Sequence, residues 1–419
     1  MQVKVAMKQF RSWICLWVLV ACSATAEAAG WVETWGAAPL PPSAALGPLP
    51  ATPSFNNQTI RQIVRISVGG ERLRIRFTNE YGSKPLRLGA VRVAIVDATG
   101  AAQPGTERPI LFDGSGSVVI PAAAPYVSDA VELPVKALSS LSISIYLPED
   151  TGPCTCHAVG MQSAFVSGSG DFTAKPFTAA QTIQSRAFIS GVEVEASGSA
   201  ETIVVLGDSI SDGVGSTLNA NHRWPDLLAE RLAATHRDAG WAVANMGISG
   251  NRILNDGAGQ SALARFDRDV LAVPGVAYVI VFEGVNDLGL SFGHFEGPMA
   301  ELFKNRMPAE KATAEAMIAG YRQLIARAHA RGVKILGATI APYGGAGYYS
   351  PEGETQRAAI NKWIRTGKEF DGVLDFDAVL RDSQDATRMA TALQAGDHLH
   401  GSDAGYTAMA KSIDLSLFR

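Results

Sequence analysis

Four short segments hold side chains that, brought together, could transfer an acyl group. Near the C-terminus, Asp397 and His400 stand three residues apart in Gly396-Asp397-His398-Leu399-His400. A carboxylate at that spacing can receive the imidazole Nδ1–H, which sets the tautomer and leaves Nε2 to take a hydroxyl proton. Ser209 offers such a hydroxyl, in Val205-Leu206-Gly207-Asp208-Ser209-Ile210-Ser211-Asp212-Gly213. Gly207 lets the chain turn sharply there, leaving Ser209 where a helix can begin and where backbone N–H groups can meet an oxyanion. Gly250, in Gly247-Ile248-Ser249-Gly250-Asn251, can present an unobstructed N–H at a strand end. Asn286, in Glu283-Gly284-Val285-Asn286-Asp287, adds a side-chain amide of the kind that lowers a transition state by about 3 kcal/mol. Each segment also has a plainer reading: Asp208 and Ser209 as helix caps, Gly250 as a turn, Asn286-Asp287 as turn formers.

Such residues need a scaffold that delivers several strand ends to one edge. From Thr202 onward, short apolar runs (Thr202 to Leu206, Ala242 to Asn245, Ala277 to Phe282, Val333 to Thr339, Val373 to Phe376) alternate with helical stretches. The latter are Trp224 to Ala234, Thr313 to Ala330, Thr355 to Phe370 and a last helix from about Asp403. The alternation predicts a parallel sheet covered on both faces, with functional residues at the C-terminal strand ends. The preceding part differs in texture. In Glu71-Arg72-Leu73-Arg74-Ile75-Arg76-Phe77-Thr78 the apolar residues fall at every second position, as on a strand with one buried face. Similar runs occur at Ile63 to Val68, Leu86 to Val96, Val118 to Ile120, Leu141 to Leu147 and Phe188 to Val194. Turn residues separate them, which predicts an antiparallel β-sandwich over 31–197. Ala196-Ser197-Gly198-Ser199-Ala200 reads as a linker.

In the order Ser, Gly, Asn, Asp-x-x-His, the four segments resemble the sequence blocks of the GDSL/SGNH hydrolase family. The matching residues are Gly207-Asp208-Ser209, Gly250 after the second strand, Gly284-Val285-Asn286-Asp287 and Asp397-His398-Leu399-His400, with Trp224-Pro225 also similar. The likeness runs from about Ile203 to the C-terminus. More loosely, the front half, opening on Trp31-Val32-Glu33-Thr34-Trp35-Gly36, resembles the β-rich N-terminal domain of some secreted bacterial members. The resemblance implies an α/β fold, a flavodoxin-like three-layer α/β/α SGNH domain over 201–419. It implies Ser209 as nucleophile, His400 as general acid/base and Asp397 as its orienter. It also implies an oxyanion hole from the Ser209 and Gly250 N–H groups and the Asn286 side chain, with no metal or organic cofactor. The expected activity is a secreted carboxylic ester hydrolase for acetyl or other short-chain esters, polysaccharide esters first. A lipase or arylesterase, or a non-catalytic carbohydrate-binding protein on the same scaffold, are the alternatives.

Phe292, Phe295, Met299, Tyr343, Tyr348 and Tyr349 follow the third and fourth strands and could wall an acyl or sugar-ester pocket, or else pack the two domains together. Asp208, Phe292 and Tyr343 are the substrate-proximal candidates. Gly289-Leu290-Ser291-Phe292-Gly293 matches a G-x-S-x-G elbow. That motif needs a strand directly before it and a helix directly after, so Ser291 is read as part of a loop beside the substrate.

The N-terminus reads as an export signal over 1–28. Lys4, Lys8 and Arg11 precede the apolar run Trp13 to Ala21, and Ala24-Thr25-Ala26 and Ala26-Glu27-Ala28 offer cleavage sites. The run is too short to span a bilayer. Leu19-Val20-Ala21-Cys22 also resembles a lipobox, which would anchor an outer-membrane lipoprotein through Cys22; ordinary cleavage to a secreted or periplasmic protein is the preferred reading. Net charge is −4 for the chain, more negative without the basic leader, and no basic patch invites nucleic acid or an anionic membrane. Cys154 and Cys156, in Pro153-Cys154-Thr155-Cys156-His157, are expected as two loop thiols, open to oxidation to each other in an oxidising compartment. With His157 they are too few for a zinc site, and His398 with His400 lacks a third clustered ligand. The other histidines are expected to be structural or on the surface.

Overall fold

The computed structural model describes residues 30–45, 51–196, 198–235, 240–296 and 307–418. The expected leader over 1–28 with Cys22, and also His236 and Met299, lie outside the described residues.

Among the described residues of 30–196 there are two large antiparallel sheets and two short strand pairs. One orders Gly30–Gly36, Ile189–Ala196, Gly70–Thr78 and Pro125–Val127, with Val131–Val135 also on Gly70–Thr78. The other orders Ala179–Ile183, Ala164–Ser169, Gln58–Arg65, Ser140–Leu147, Ala90–Val96 and Arg108–Pro109. Leu73, Ile75 and Phe77 from the first share an apolar core with Ile60, Leu141, Ile143 and Ile145 from the second. The intervening arginines are not idle: Arg72 and Arg74 stand opposite Glu195 and Glu193 across the strand pair and bind them. The run Leu86 to Val96 is not one strand. It breaks at Gly89, where the Tyr146 ring lies against the backbone, into Leu86–Leu88 and Ala90–Val96. The expected strand at Ile63 to Val68 starts earlier, as Gln58–Arg65.

Among the described residues the C-terminal half contributes five strands: β1 (Glu201–Gly207), β2 (Trp241–Asn245), β3 (Val276–Phe282), β4 (Lys334–Ala338) and β5 (Gly372–Leu374). All pair in parallel, in the order β2-β1-β3-β4-β5. β1 is buried from Thr202 to Gly207, as a central strand with both faces covered requires. Its helices are α1 (Ser209–Asp212), α2 (Trp224–Thr235), α3 (Ala262–Phe266), α4 (Val285–Phe292), α5 (Ala314–His329), α6 (Pro351–Thr366), α7 (Phe376–Leu380) and α8 (Asp403–Ser412). α2, α7 and α8 pack with one another, and so do α3 to α6. Right-handed crossovers that leave β1 in opposite directions put such groups on opposite faces. The chain therefore diverges between β1 and β3, and a crevice opens at their C-terminal ends.

Local chemistry sets the helix boundaries. Thr313, Ser350 and Ser402 cap α5, α6 and α8 through their hydroxyls. Pro351 at the first turn starts α6 four residues before the expected Thr355, and the helix stops before Gly367 rather than running to Phe370. Trp224, Phe282 and Phe376 meet edge-on under the sheet, with centroids 5.0 to 6.5 Å apart. The two halves interlock: Ala38 joins the C-terminal core and Ala242 the N-terminal one. Ser67 Oγ accepts from Val243 N at 2.9 Å, and Arg65 pairs with Glu230 at 2.8 Å. No helix among the described residues is long and apolar enough to cross a membrane.

Phe376 is fully buried in this aromatic cluster. Phe376→Ala is expected to cost about 3–5 kcal/mol of stability, read as a lower urea midpoint by the fluorescence of the neighbouring Trp224.

Candidate active site

β1 ends at Gly207, and its glycine is a matter of space: a Cβ there would lie 2.3 Å from Ser211 Oγ and 2.7 Å from Phe282 O. Asp208 follows as N-cap of α1, its carboxylate accepting from Ile210 N at 2.9 Å. Ser209 is therefore the first residue of α1, with a side chain 6% exposed. Its Oγ lies 2.8 Å from His400 Nε2. His400 Nδ1 lies 2.6 Å from Asp397 Oδ2, while Asp397 Oδ1 accepts from His400 N and Leu399 N at 2.9 and 3.0 Å. A carboxylate at Nδ1 makes that nitrogen the donor and assigns Nε2 as acceptor of the Ser209 O–H. Asp397 is partly buried, which opposes its charge, but the hydrogen bonds from His400 and Leu399 prevail and hold its carboxyl well below the usual range.

Two further segments follow the ends of β2 and β3. Gly250 has φ +82, a left-handed conformation that glycine adopts without strain, and a Cβ there would stand 3.0 Å from Ala258 Cβ. Among the described residues neither the Ser209 nor the Gly250 N–H has an acceptor. Asn286 enters at the second position of α4, since Gly284 with φ +123 reverses the chain right after β3. Its Nδ2 donates one hydrogen to Asn251 O at 3.0 Å, and its Oδ1 accepts from Tyr348 OH at 3.2 Å. The amide is thus oriented from both ends, with one N–H left without a partner among the described residues.

Beneath these groups lies a layer of buried ionisable side chains. Arg265, fully buried, donates to Gly207 O, Met246 O and Asn251 Oδ1 at 3.1, 2.6 and 3.0 Å, and pairs with Asp269. Asp287 accepts from Ile253 N and Leu254 N at 2.8 and 3.1 Å and so holds the chain just past Gly250. Burial pushes Asp287 up to about 6 and Asp208 up to about 7, against the hydrogen bonds each accepts. Glu283, completely enclosed, is pushed well above the usual range by burial and by Asp208, with Arg265 opposing.

The proposed pocket walls sit differently from the sequence expectation. Tyr343 is fully buried against Tyr348 and Tyr349, and Phe292 is buried at the end of α4 with Lys311 over its ring. Both belong to the core of the C-terminal half. Phe295, Tyr348 and Tyr349 keep partial exposure. Asp208 adjoins Ser209, but its carboxylate is turned into the cap. Gly289 to Gly293 is no loop: α4 starts at once after Gly284 and carries the segment inward. There Ser291 Oγ accepts from Ala312 N at 2.9 Å, Gly289 leaves room for the Tyr348 ring, and Gly293 for the Tyr348 backbone. Cys154 and Cys156 form a disulfide. Sequence reasoning missed Arg265, Asp287 and the role of Tyr348. A lone helical arginine carries no motif; Tyr348 was detectable only as an aromatic in a glycine-rich loop after β4.

Residues 205–408 match the model of the GDSL-like Lipase/Acylhydrolase family. That part of the chain is a GDSL-like acylhydrolase domain, and ester hydrolysis is the reaction class it defines. A search of curated proteins found no match. Among solved structures, the chain is similar to a GDSL-like lipase from Bacteroides thetaiotaomicron (15% identity, 52% of this chain, 87% of that one, TM-score 0.38). It is also similar to a catalytic mutant of an acetylxylan esterase from Geobacillus stearothermophilus (21% identity, 53% and 96%, TM-score 0.39).

The buried Asp208 gives a pH test. Its carboxyl moves from 3.8 to about 7 on folding, so the folded state binds this proton more tightly. Its contribution to stability therefore falls as pH rises through that window. Asp208→Asn keeps an oxygen for Ile210 N but removes the titration. The unfolding free energy of the variant minus that of wild type should increase between pH 4 and pH 7, measured by denaturant titration at each pH.

Proposed function

We propose that the protein is a secreted serine esterase that hydrolyses acetyl or other short-chain esters, those carried by polysaccharides first, through an acyl-enzyme. The observation that carries this reading is the unbroken relay from Ser209 Oγ through His400 to Asp397, at 2.8 and 2.6 Å. His400 Nε2 takes the Ser209 proton as Oγ attacks the ester carbonyl carbon. The negative charge on the carbonyl oxygen is met by the Ser209 and Gly250 N–H groups and the remaining Asn286 N–H. The imidazolium, stabilised by Asp397, gives its proton to the departing alcohol. Water then attacks the acyl carbon as it loses a proton to His400, and His400 returns that proton to Ser209 Oγ as the acyl–oxygen bond breaks and the acid leaves.

The family match supports hydrolysis of esters, and the leader read from the sequence supports substrates outside the cytoplasm. The Tyr348 hydroxyl, donating to Asn286 Oδ1, supports a fixed side-chain amide among the oxyanion donors. For the fold, the strand order β2-β1-β3-β4-β5 with two helix groups supports a flavodoxin-like three-layer domain. Two sheets on one core support a β-sandwich before it.

A serine-directed phosphonate should block hydrolysis of p-nitrophenyl acetate and appear by mass spectrometry on Ser209; labelling of a different serine refutes the assignment. Ser209→Ala should fold and lose turnover, whereas retained hydrolysis ends the reading. Asn286→Ala should lower kcat by about 10²–10³ with a smaller effect on KM; a defect in KM alone would remove Asn286 from the oxyanion site.

A further inference from the structure

Two buried ionisable residues take no part in the steps above: Asp212 and His157, 2% and 5% exposed. They come from opposite halves of the chain. Asp212 closes α1, the one-turn helix that Ser209 opens. His157 belongs to the two-sheet region, on the short strand Cys156–His157 paired with Arg186–Ala187. Asp212 Oδ1 lies 2.8 Å from His157 Nε2. Asp212 Oδ2 accepts from Ser249 Oγ at 2.6 Å and from Ser249 N at 3.1 Å. Ser249 directly precedes Gly250. A continuous hydrogen-bonded path therefore joins the two-sheet region to both segments that face the reacting carbonyl.

The partners of His157 decide its protonation. Nδ1 lies 3.0 Å from Ala38 O, and Nε2 lies 3.1 Å from Val159 O as well as against the carboxylate. All three partners are acceptors, so both ring nitrogens donate and the ring is an imidazolium. Burial opposes that charge, but Asp212 and the carbonyls of Ala38 and Val159 outweigh it and raise the pKa. Arg186 stands opposite His157 in the strand pair, and Arg223, paired with Asp226, feels Asp212 as well. The strand itself is pinned by the Cys154–Cys156 disulfide, by Leu40 N to Cys156 O and by Cys154 N to Pro53 O, both at 2.9 Å. Without the imidazolium, Asp212 would stay buried beside α1 with its direct cation gone, a state that α1 or the Ser249 loop can relieve only by moving.

We infer that His157 is a positioning residue for ester hydrolysis: through Asp212 and Ser249 the two-sheet region sets the separation between Ser209 and the Gly250 N–H. The N-terminal region is then part of the active-site scaffold rather than an appendage. The inference rests on the esterase reading for its kinetic consequence and on the hydrogen-bonded path for its structural one. Oxyanion donors act only within a window of about 2.7–3.1 Å, and a displacement of about 1 Å from a remote change can cost about 10²-fold in rate.

The test uses the full chain carrying His157→Gln and, separately, Ser249→Ala, which removes the hydroxyl arm of the path at its far end, keeps the backbone N–H on Asp212 and leaves the interface untouched. Hydrolysis of p-nitrophenyl acetate and amide hydrogen exchange over 207–213 and 246–254 are read together. His157→Gln should lower kcat by about 10- to 100-fold with KM within about twofold, and exchange should quicken in those two segments. Ser249→Ala should shift both readouts the same way by less, and it decides the matter if His157→Gln does not fold. Unchanged kcat and unchanged exchange overturn the inference. So does faster exchange spread through the whole C-terminal core, the mark of a merely structural role. If wild type hydrolyses no ester, the esterase reading fails on its own, and exchange alone decides: quickening confined to the two segments supports the path, and its absence overturns it.

Discussion

The C-terminal half is arranged around the guanidinium of Arg265. Fully buried, it donates to the carbonyls of Gly207 and Met246 at the ends of β1 and β2 and to the Asn251 side chain, with Glu283 past the end of β3 3.7 Å away. A guanidinium without water is tolerable only when its N–H groups find acceptors, so each of those acceptors is constrained in turn. Gly207 leads into Asp208-Ser209, Met246 and Asn251 bracket Gly250, and Glu283 leads into Asn286. One buried cation thereby ties together the three strand ends whose following residues carry the proposed chemistry. The spacing of those residues is a consequence of satisfying Arg265 as much as of the sheet itself.

Charge is graded with depth around that cation. Asp208, Glu283 and Asp287 lie in the interior, where desolvation favours their protonated forms despite hydrogen bonds and Arg265. Asp397 sits near the rim with half its side chain exposed, and its hydrogen bonds from His400 and Leu399 keep it ionised. Environment alone divides four carboxyl groups into those that build the floor and the one that can stabilise a charged imidazole. Asp212 is a separate case, since it has its own buried counter-charge in His157.

Where residue type and spacing act locally, the sequence was readable. Alternation in Glu71 to Thr78 marks a strand with one apolar face, and the arginines between are matched by glutamates on the neighbouring strand. β/α alternation after Thr202 corresponds to the parallel sheet, and glycine at 207, 250 and 284 stands where the chain needs space or a positive φ. Depth was not readable in this way. Phe292 and Tyr343 have the composition of pocket walls, yet the start of α4 directly after Gly284 and the packing of Tyr343 on Tyr348 and Tyr349 put both in the core. Tyr348, of the same residue type and only five positions on, reaches Asn286. The difference is which side of a loop each faces, and no periodicity encodes that.

By itself the sequence determined what short-range geometry determines: strand and helix order, and the closeness of Asp397 to His400 three residues away. Backbone conformation over a turn suffices for these, whatever the rest of the chain does. Tertiary structure alone decided that Ser209 meets His400 across 191 positions, that His157 of the two-sheet region closes on Asp212, and that Arg265 collects three strand ends. The first and third exist because the C-terminal half folds on its own sheet, the second because the two cores pack in one relative arrangement and bury charges that must then find one another. That requirement belongs to the assembled interior, and no local stretch of residues carries it.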